Sequence, residues 1–131
     1  MEYVSKKYEI VIFCGGSQLY CTPVLNFIEE KRKYFAHYIS NDYVLFDNAN
    51  FTVKYYDFLL HKPRTLKNTV IMESHVATYS LLLYSGIPVS IYKSICIADK
   101  ELIEIAKFLD ILAESEDINK TIRQKVQEAI Y

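Results

Sequence analysis

Residues 10–14 are apolar without a break and rich in β-branched side chains, the pattern of a strand buried on both faces in a parallel sheet. Gly15 and Gly16 end that run in a small-residue turn, and a helical pattern follows. Strand, turn and helix are half of a βαβ unit, which sets residues 14–17 at the carboxyl edge of the sheet, where ligands bind in such folds. Thr22-Pro23 predicts the helix start, with Thr as cap and Pro at the first helical position. Val24, Phe27 and Ile28 share one face, and the charged run 29–33 reads as a solvated helix end. Runs at 35–39 and 43–46, joined through Ser40-Asn41-Asp42, and a third run at 51–56 predict a small antiparallel meander inserted between core elements.

Residues 59–68 carry His61, Lys62, Arg64 and Lys67 and read as a basic, solvated connecting loop. The apolar run 69–72 predicts a second central strand, ending in Glu73-Ser74-His75 at the carboxyl edge of the sheet. A short strand is expected at 86–89, with Pro88 marking its start or an edge. Asp99 is placed to cap an amphipathic helix whose apolar positions, from Leu102 to Ala113, cover slightly more than one face. Asp117 opens a last helix with Ile118, Ile122, Val126, Ala129 and Ile130 on its stripe.

The 131 residues fit one domain, with 51% hydrophobic and 24% charged residues, which argues against disorder. A net charge of −1 suggests no bulk attraction to nucleic acid or anionic lipid, so no nucleic-acid partner is expected. Twelve Tyr and no Trp suit a binding surface, although biased codon usage explains the same excess. Cys14, Cys21 and Cys96 form no Cys-x-x-Cys pair; buried free thiols are expected, a Cys14–Cys21 bridge requiring the turn to fold back. His37, His61 and His75 lack the spacing of a histidine zinc site. No apolar run is long enough to span a bilayer, and sequons at Asn50 and Asn119 matter only in a secreted protein.

In order along the chain, residues 8–13, 20–24, Val53-Lys54, 69–74, 77–79, 86–89, 99–102 and 108–109 resemble the carboxy-terminal-domain phosphatase-like (FCP-one homology) branch of the haloacid dehalogenase superfamily. That branch includes RNA-polymerase-tail phosphatases and the presequence receptor of the mitochondrial inner-membrane translocase. The resemblance implies an α/β, haloacid-dehalogenase-like (Rossmannoid) parallel sheet flanked by helices, with a small antiparallel β insertion. It also implies that the first central strand is absent and that 1–131 form a single, truncated-looking domain. Strands 10–13 and 70–72 would then lack their shared neighbour, unless they pair directly or residues 1–5 fill the gap.

The family's nucleophile is the first Asp of an Asp-x-Asp-x-Thr motif, its second Asp serving as acid and base. These 131 residues contain no such motif. By resemblance, Cys14 stands at the phosphate-binding Ser/Thr position, Lys54 at the Lys that steadies phosphate charge, and Glu73-Ser74 at the magnesium-binding pair. Cys14 as a substitute nucleophile lacks the Arg that would lower a thiol pKa. Glu73 as the one retained carboxylate is only a remnant metal ligand. The expectation is therefore a pseudophosphatase with no catalytic residues and no cofactor. It would act as a presequence-receptor-like subunit of a mitochondrial or mitosomal inner-membrane translocase facing the intermembrane space. Its partners would be preprotein targeting peptides and translocase subunits. Asp42, Tyr43, Asp47, Tyr55 and Asp57 are candidates to bind such basic amphipathic peptides, although the same tyrosines suit the core of the meander. The alternative is a magnesium-dependent protein serine/threonine phosphatase, nuclear or cytoplasmic, whose nucleophile lies in upstream sequence. A third reading is a scaffold that holds phosphoproteins through Lys54.

Overall fold

The first strand, β1 (Ile10–Phe13), forms where its β-branched run places it, in a computed structural model that describes residues 1–40, 43–46, 52–93, 95 and 98–130. The chain divides into two units, Met1–Tyr55 and Tyr56–Tyr131. In the first, α1 (Gln18–Ile28) follows β1 and leads to β2 (Phe35–Ile39), which pairs with β1 in parallel. The βαβ unit is thus completed by the segment expected to open the meander. A helical crossover gives the chain the length that parallel pairing needs, which a tight turn cannot. What remains of the meander is an antiparallel pair, β3 (Val44–Phe46) and β4 (Thr52–Lys54).

Helix α1 begins five residues before Pro23, so Thr22 is not its cap. The extended backbone of Ser17 starts it, the Ser17 carbonyl accepting from the N–H groups of Tyr20 and Cys21. Pro23 inside the helix removes one donor, the one that would have bonded the Leu19 carbonyl. The expected buried face of Val24, Phe27 and Ile28 is exposed, and Cys21 is the helix's buried residue. Strand β1 is half-buried rather than buried, because among the described strands it pairs with β2 alone. Residues Val4–Lys6 form a 3-10 turn, so the amino end adds no strand beside it.

In the second unit, β5 (Ile71–Glu73) and β6 (Gly86–Pro88) are parallel, with Ile71 opposite Gly86 and Glu73 opposite Pro88. Their connection, Val76–Ser85, is two 3-10 stretches joined across a kink at Tyr79 and Leu82, an element the pattern of polarity did not announce. Instead of one continuous sheet, the described residues build three two-stranded sheets, two parallel and one antiparallel. β1 and β5 belong to different sheets and do not pair directly.

The helices α2 (Glu101–Ala113) and α3 (Ile118–Ile130) stand where periodicity predicts them. The Asp99 carboxylate accepts from the Glu101 N–H at 2.9 Å, and Asp117 accepts from the Lys120 N–H at 3.1 Å. Ile105, Leu109 and Leu112 of α2 and Ile118 and Ile122 of α3 are buried, together with Ile71, Tyr79 and Ile87. Leu102, Ile103 and Ile111 are the apolar excess of α2 and face outward. No helix among the described residues is long and apolar enough to cross a membrane.

Candidate functional site

Lys54 is the last residue of β4, opposite Val44, and is 8% exposed. Its Nζ lies 5.3 Å from the centroid of the Phe13 ring, a cation–π contact that holds the ammonium in a partly desolvated setting. Cys14 follows Phe13 and donates its N–H to the Ile39 carbonyl at 2.9 Å. Its sulfur is bonded to that of Cys21, correcting the expectation of free thiols. The reason is local: α1 begins before Cys21, and its first turn carries that residue back to the end of β1. A disulfide sulfur has no S–H to donate and is no thiolate, so in this state Cys14 neither donates its side chain to a phosphate nor attacks one. Cys96 lies outside the described residues.

The second unit holds Glu73 at the carboxyl end of β5. Its Oε1 accepts from the Ser74 N–H at 2.9 Å and from Ser74 Oγ at 3.4 Å, while Ser74 Oγ lies 2.9 Å from His75 Nδ1. Two buried tyrosines accompany the carboxylate. Burial, then the negative charge of Glu73, raises the phenol pKa of both Tyr56 and Tyr79, with Tyr79 adding to the effect at Tyr56. Both phenols therefore stay protonated near neutrality. Tyr56 falls in a run read as a meander strand and Tyr79 in a segment given no element, so polarity alone did not join them to Glu73.

The residues assigned by resemblance divide between the units: Cys14 and Lys54 in the first, Glu73 and Ser74 in the second. The peptide-binding candidates divide as well. Tyr43 and Tyr55 are exposed at one end of the β3–β4 pair, where the Tyr55 N–H donates to the Tyr43 carbonyl at 3.0 Å. Asp57 belongs to the second unit and lines a basic pocket with Lys62, Arg64 and Lys67. Asp42 and Asp47 lie outside the described residues.

A family model described as NLI interacting factor-like phosphatase matches residues 1–119. The chain belongs to this family. Among its relatives, a Dictyostelium discoideum protein named CTD small phosphatase-like protein 2 is 28% identical over 122 residues, covering 93% of this chain and 20% of that protein. A second protein from the same organism, named probable C-terminal domain small phosphatase, is 29% identical over 120 residues, covering 88% of this chain and 36% of the relative. The chain thus spans between about a fifth and about a third of the length of these curated relatives. Its mixed α/β architecture, with small parallel and antiparallel sheets, is consistent with a haloacid-dehalogenase-like phosphatase fold.

Membership overturns the non-enzyme expectation. That expectation rested on the missing Asp-x-Asp-x-Thr motif, but the family is described as a phosphatase family, and this chain covers only 20% and 36% of the relatives named after such phosphatases. A motif absent from a stretch this short does not decide the chemistry of the protein it belongs to. The metal question turns on donors. Glu73 is a single carboxylate already accepting from Ser74, and the described residues contain no group of three His, Cys, Asp or Glu side chains able to hold an ion. One carboxylate and a hydroxyl do not make the octahedral oxygen cage magnesium demands, so these residues by themselves do not fit that ion.

Proposed function

We propose that this chain is the phosphatase-like domain of a protein serine/threonine phosphatase of the carboxy-terminal-domain type, with the attacking aspartate pair contributed by polypeptide outside these 131 residues. The observation that carries this reading is the family match over residues 1–119. The buried cation at Lys54, at the family's charge-steadying position, supports it. An aspartate carboxylate oxygen attacks phosphorus, and the bond from phosphorus to the serine or threonine oxygen breaks. The leaving oxygen takes a proton from the second aspartate, and water then cleaves the acyl phosphate to release inorganic phosphate. Lys54 offsets the negative charge gathered on the transferring group, an interaction strengthened by its burial. Glu73, which accepts from the Ser74 N–H and whose charge is felt by the phenols of Tyr56 and Tyr79, stands at the family's strand-end carboxylate position.

Phosphate release from a phosphoserine peptide, measured with protein expressed from the whole reading frame, tests the proposal. Lys54→Met is expected to lower kcat/KM by roughly 10²-fold, the usual cost of removing one charge-stabilising group, while the fold melts as a cooperative unit. No turnover by the full-length protein, or unchanged kcat/KM in Lys54→Met, overturns it.

A further inference from the structure

Residues 61–67, read from the sequence as a solvated linker, are instead tied down in the second unit. The Arg64 N–H donates to the His61 carbonyl at 2.9 Å. The Thr65 N–H donates to Asn68 Oδ1 at 2.7 Å, and Asn68 Nδ2 donates to the Pro63 carbonyl at 3.0 Å. From α3, Asn119 Nδ2 donates to the Leu66 carbonyl, and its Oδ1 accepts from the fully buried Ser85 hydroxyl at 3.2 Å. The loop so held walls an open pocket of about 720 Å³, whose lining includes Asp57, Leu60, Lys62, Arg64, Leu66 and Lys67. That volume lies in the range of small-ligand sites, roughly 300–1,000 Å³.

We propose that this pocket is an anion-binding site that takes a phosphorylated serine or threonine of a peptide, separate from the phosphate handled at the Lys54 position. The lining is basic, with Lys62, Arg64 and Lys67 beside Asp57, and this suits a phosphomonoester, which carries about −1.5 to −2 charge near neutrality. Collecting like charges around one concavity focuses the potential onto an anion. Arg64 offers a planar donor fork suited to phosphate oxygens, and Lys62 and Lys67 add mobile ammonium groups. Leu60 and Leu66 give apolar contact to the flanking peptide. Hydrogen bonds already made within the loop lower the ordering cost of binding. A nucleic acid is the poorer match, because the basic residues form a single cluster in a chain of net charge −1 rather than a stripe that follows a backbone.

The choice of a phosphopeptide rests on the phosphatase reading; the anion site does not. The test is fluorescence anisotropy of the 131-residue chain with a labelled phosphoserine peptide, its unphosphorylated twin and a single-stranded oligonucleotide, with inorganic phosphate as competitor. The phosphopeptide is expected to bind at least tenfold tighter than its twin, to be displaced by phosphate and to weaken with salt. Lys62→Glu/Lys67→Glu, both exposed positions, is expected to weaken it at least tenfold, and Lys125→Glu on α3 to leave it unchanged. Arg64→Gln, at a half-buried position, is read only if its melting temperature matches the parent. Equal binding of the twin peptides, indifference to the double charge reversal, or tighter binding of the oligonucleotide overturns the proposal. Because binding needs no nucleophile, loss of this site and failure of the full-length protein to hydrolyse phosphoserine are separate results.

Discussion

Glu29 joins the end of α1 to the start of β2 through one carboxylate. Its Oε1 accepts from the N–H groups of Tyr34 and Phe35 at 2.7 and 2.8 Å, and Oε2 accepts from Lys33 Nζ at 3.0 Å. Those two backbone donors, then Lys33, hold its pKa down at about 2 against an ordinary 4.5. A carboxylate lowered on folding contributes stability above its unfolded pKa and loses it as pH falls through the folded one. Glu29→Gln is therefore expected to melt lower than the parent at pH 7, with the gap closing between about pH 4.5 and pH 2. A gap that persists unchanged at pH 2 would show that the charge is not what matters. The sequence placed Glu29 in a solvated charge run, since its backbone donors come from a turn whose path the run does not specify. Cys14 and Cys21 make a similar point. Mass analysis of the unreduced chain should show two thiols resistant to alkylation until a reductant is added; two freely alkylated thiols would exclude the bridge.

Between elements, the tight spots are where β6 meets the kinked 3-10 segment and where α3 meets the basic loop. A Cβ built on Gly86 would lie 2.0 Å from the ring of Tyr79, which is 2% exposed and has little room to yield. Gly86→Ala is expected to cost about 1–3 kcal/mol, as overpacking does, in denaturant unfolding, with recovery when Tyr79 is made Leu. A neutral Gly86→Ala would mean that the ring moves freely. Asn119→Ala leaves the buried Ser85 hydroxyl and the Leu66 carbonyl without their partner, at an expected cost of about 1–3 kcal/mol. An unchanged unfolding midpoint would show that neither bond is stabilising. The strands and helices themselves were largely legible. Unbroken apolar runs located β1 and β5, the short run around Pro88 located β6, helical spacing located α2 and α3, and Asp99 and Asp117 marked the starts of two helices. Thr22-Pro23 misled because a proline is tolerated within an otherwise sound helix, and residues 35–39 because a strand's own pattern does not name its partner.

At the scale of the whole molecule, the residues assigned by resemblance are divided between the two units. Met1–Tyr55 holds the buried Lys54; Tyr56–Tyr131 holds Glu73, its phenols and the basic pocket. Family membership was legible from the order of short segments, while the inference of lost chemistry was not sound. It treated a motif missing from 131 residues as missing from a protein whose named relatives are covered to only 20% and 36% of their length. By itself the sequence determined the strand–turn–helix opening, the helical second half, the cations of residues 61–67 and the family, because each is written in neighbouring residues or their order. Only the tertiary structure decided that β2 pairs with β1, that Tyr56 comes within reach of the Glu73 charge, and that the basic loop is held by Asn119. Those contacts join residues far apart in the chain, and their cost in chain entropy is offset by burial and hydrogen bonds that no local pattern records.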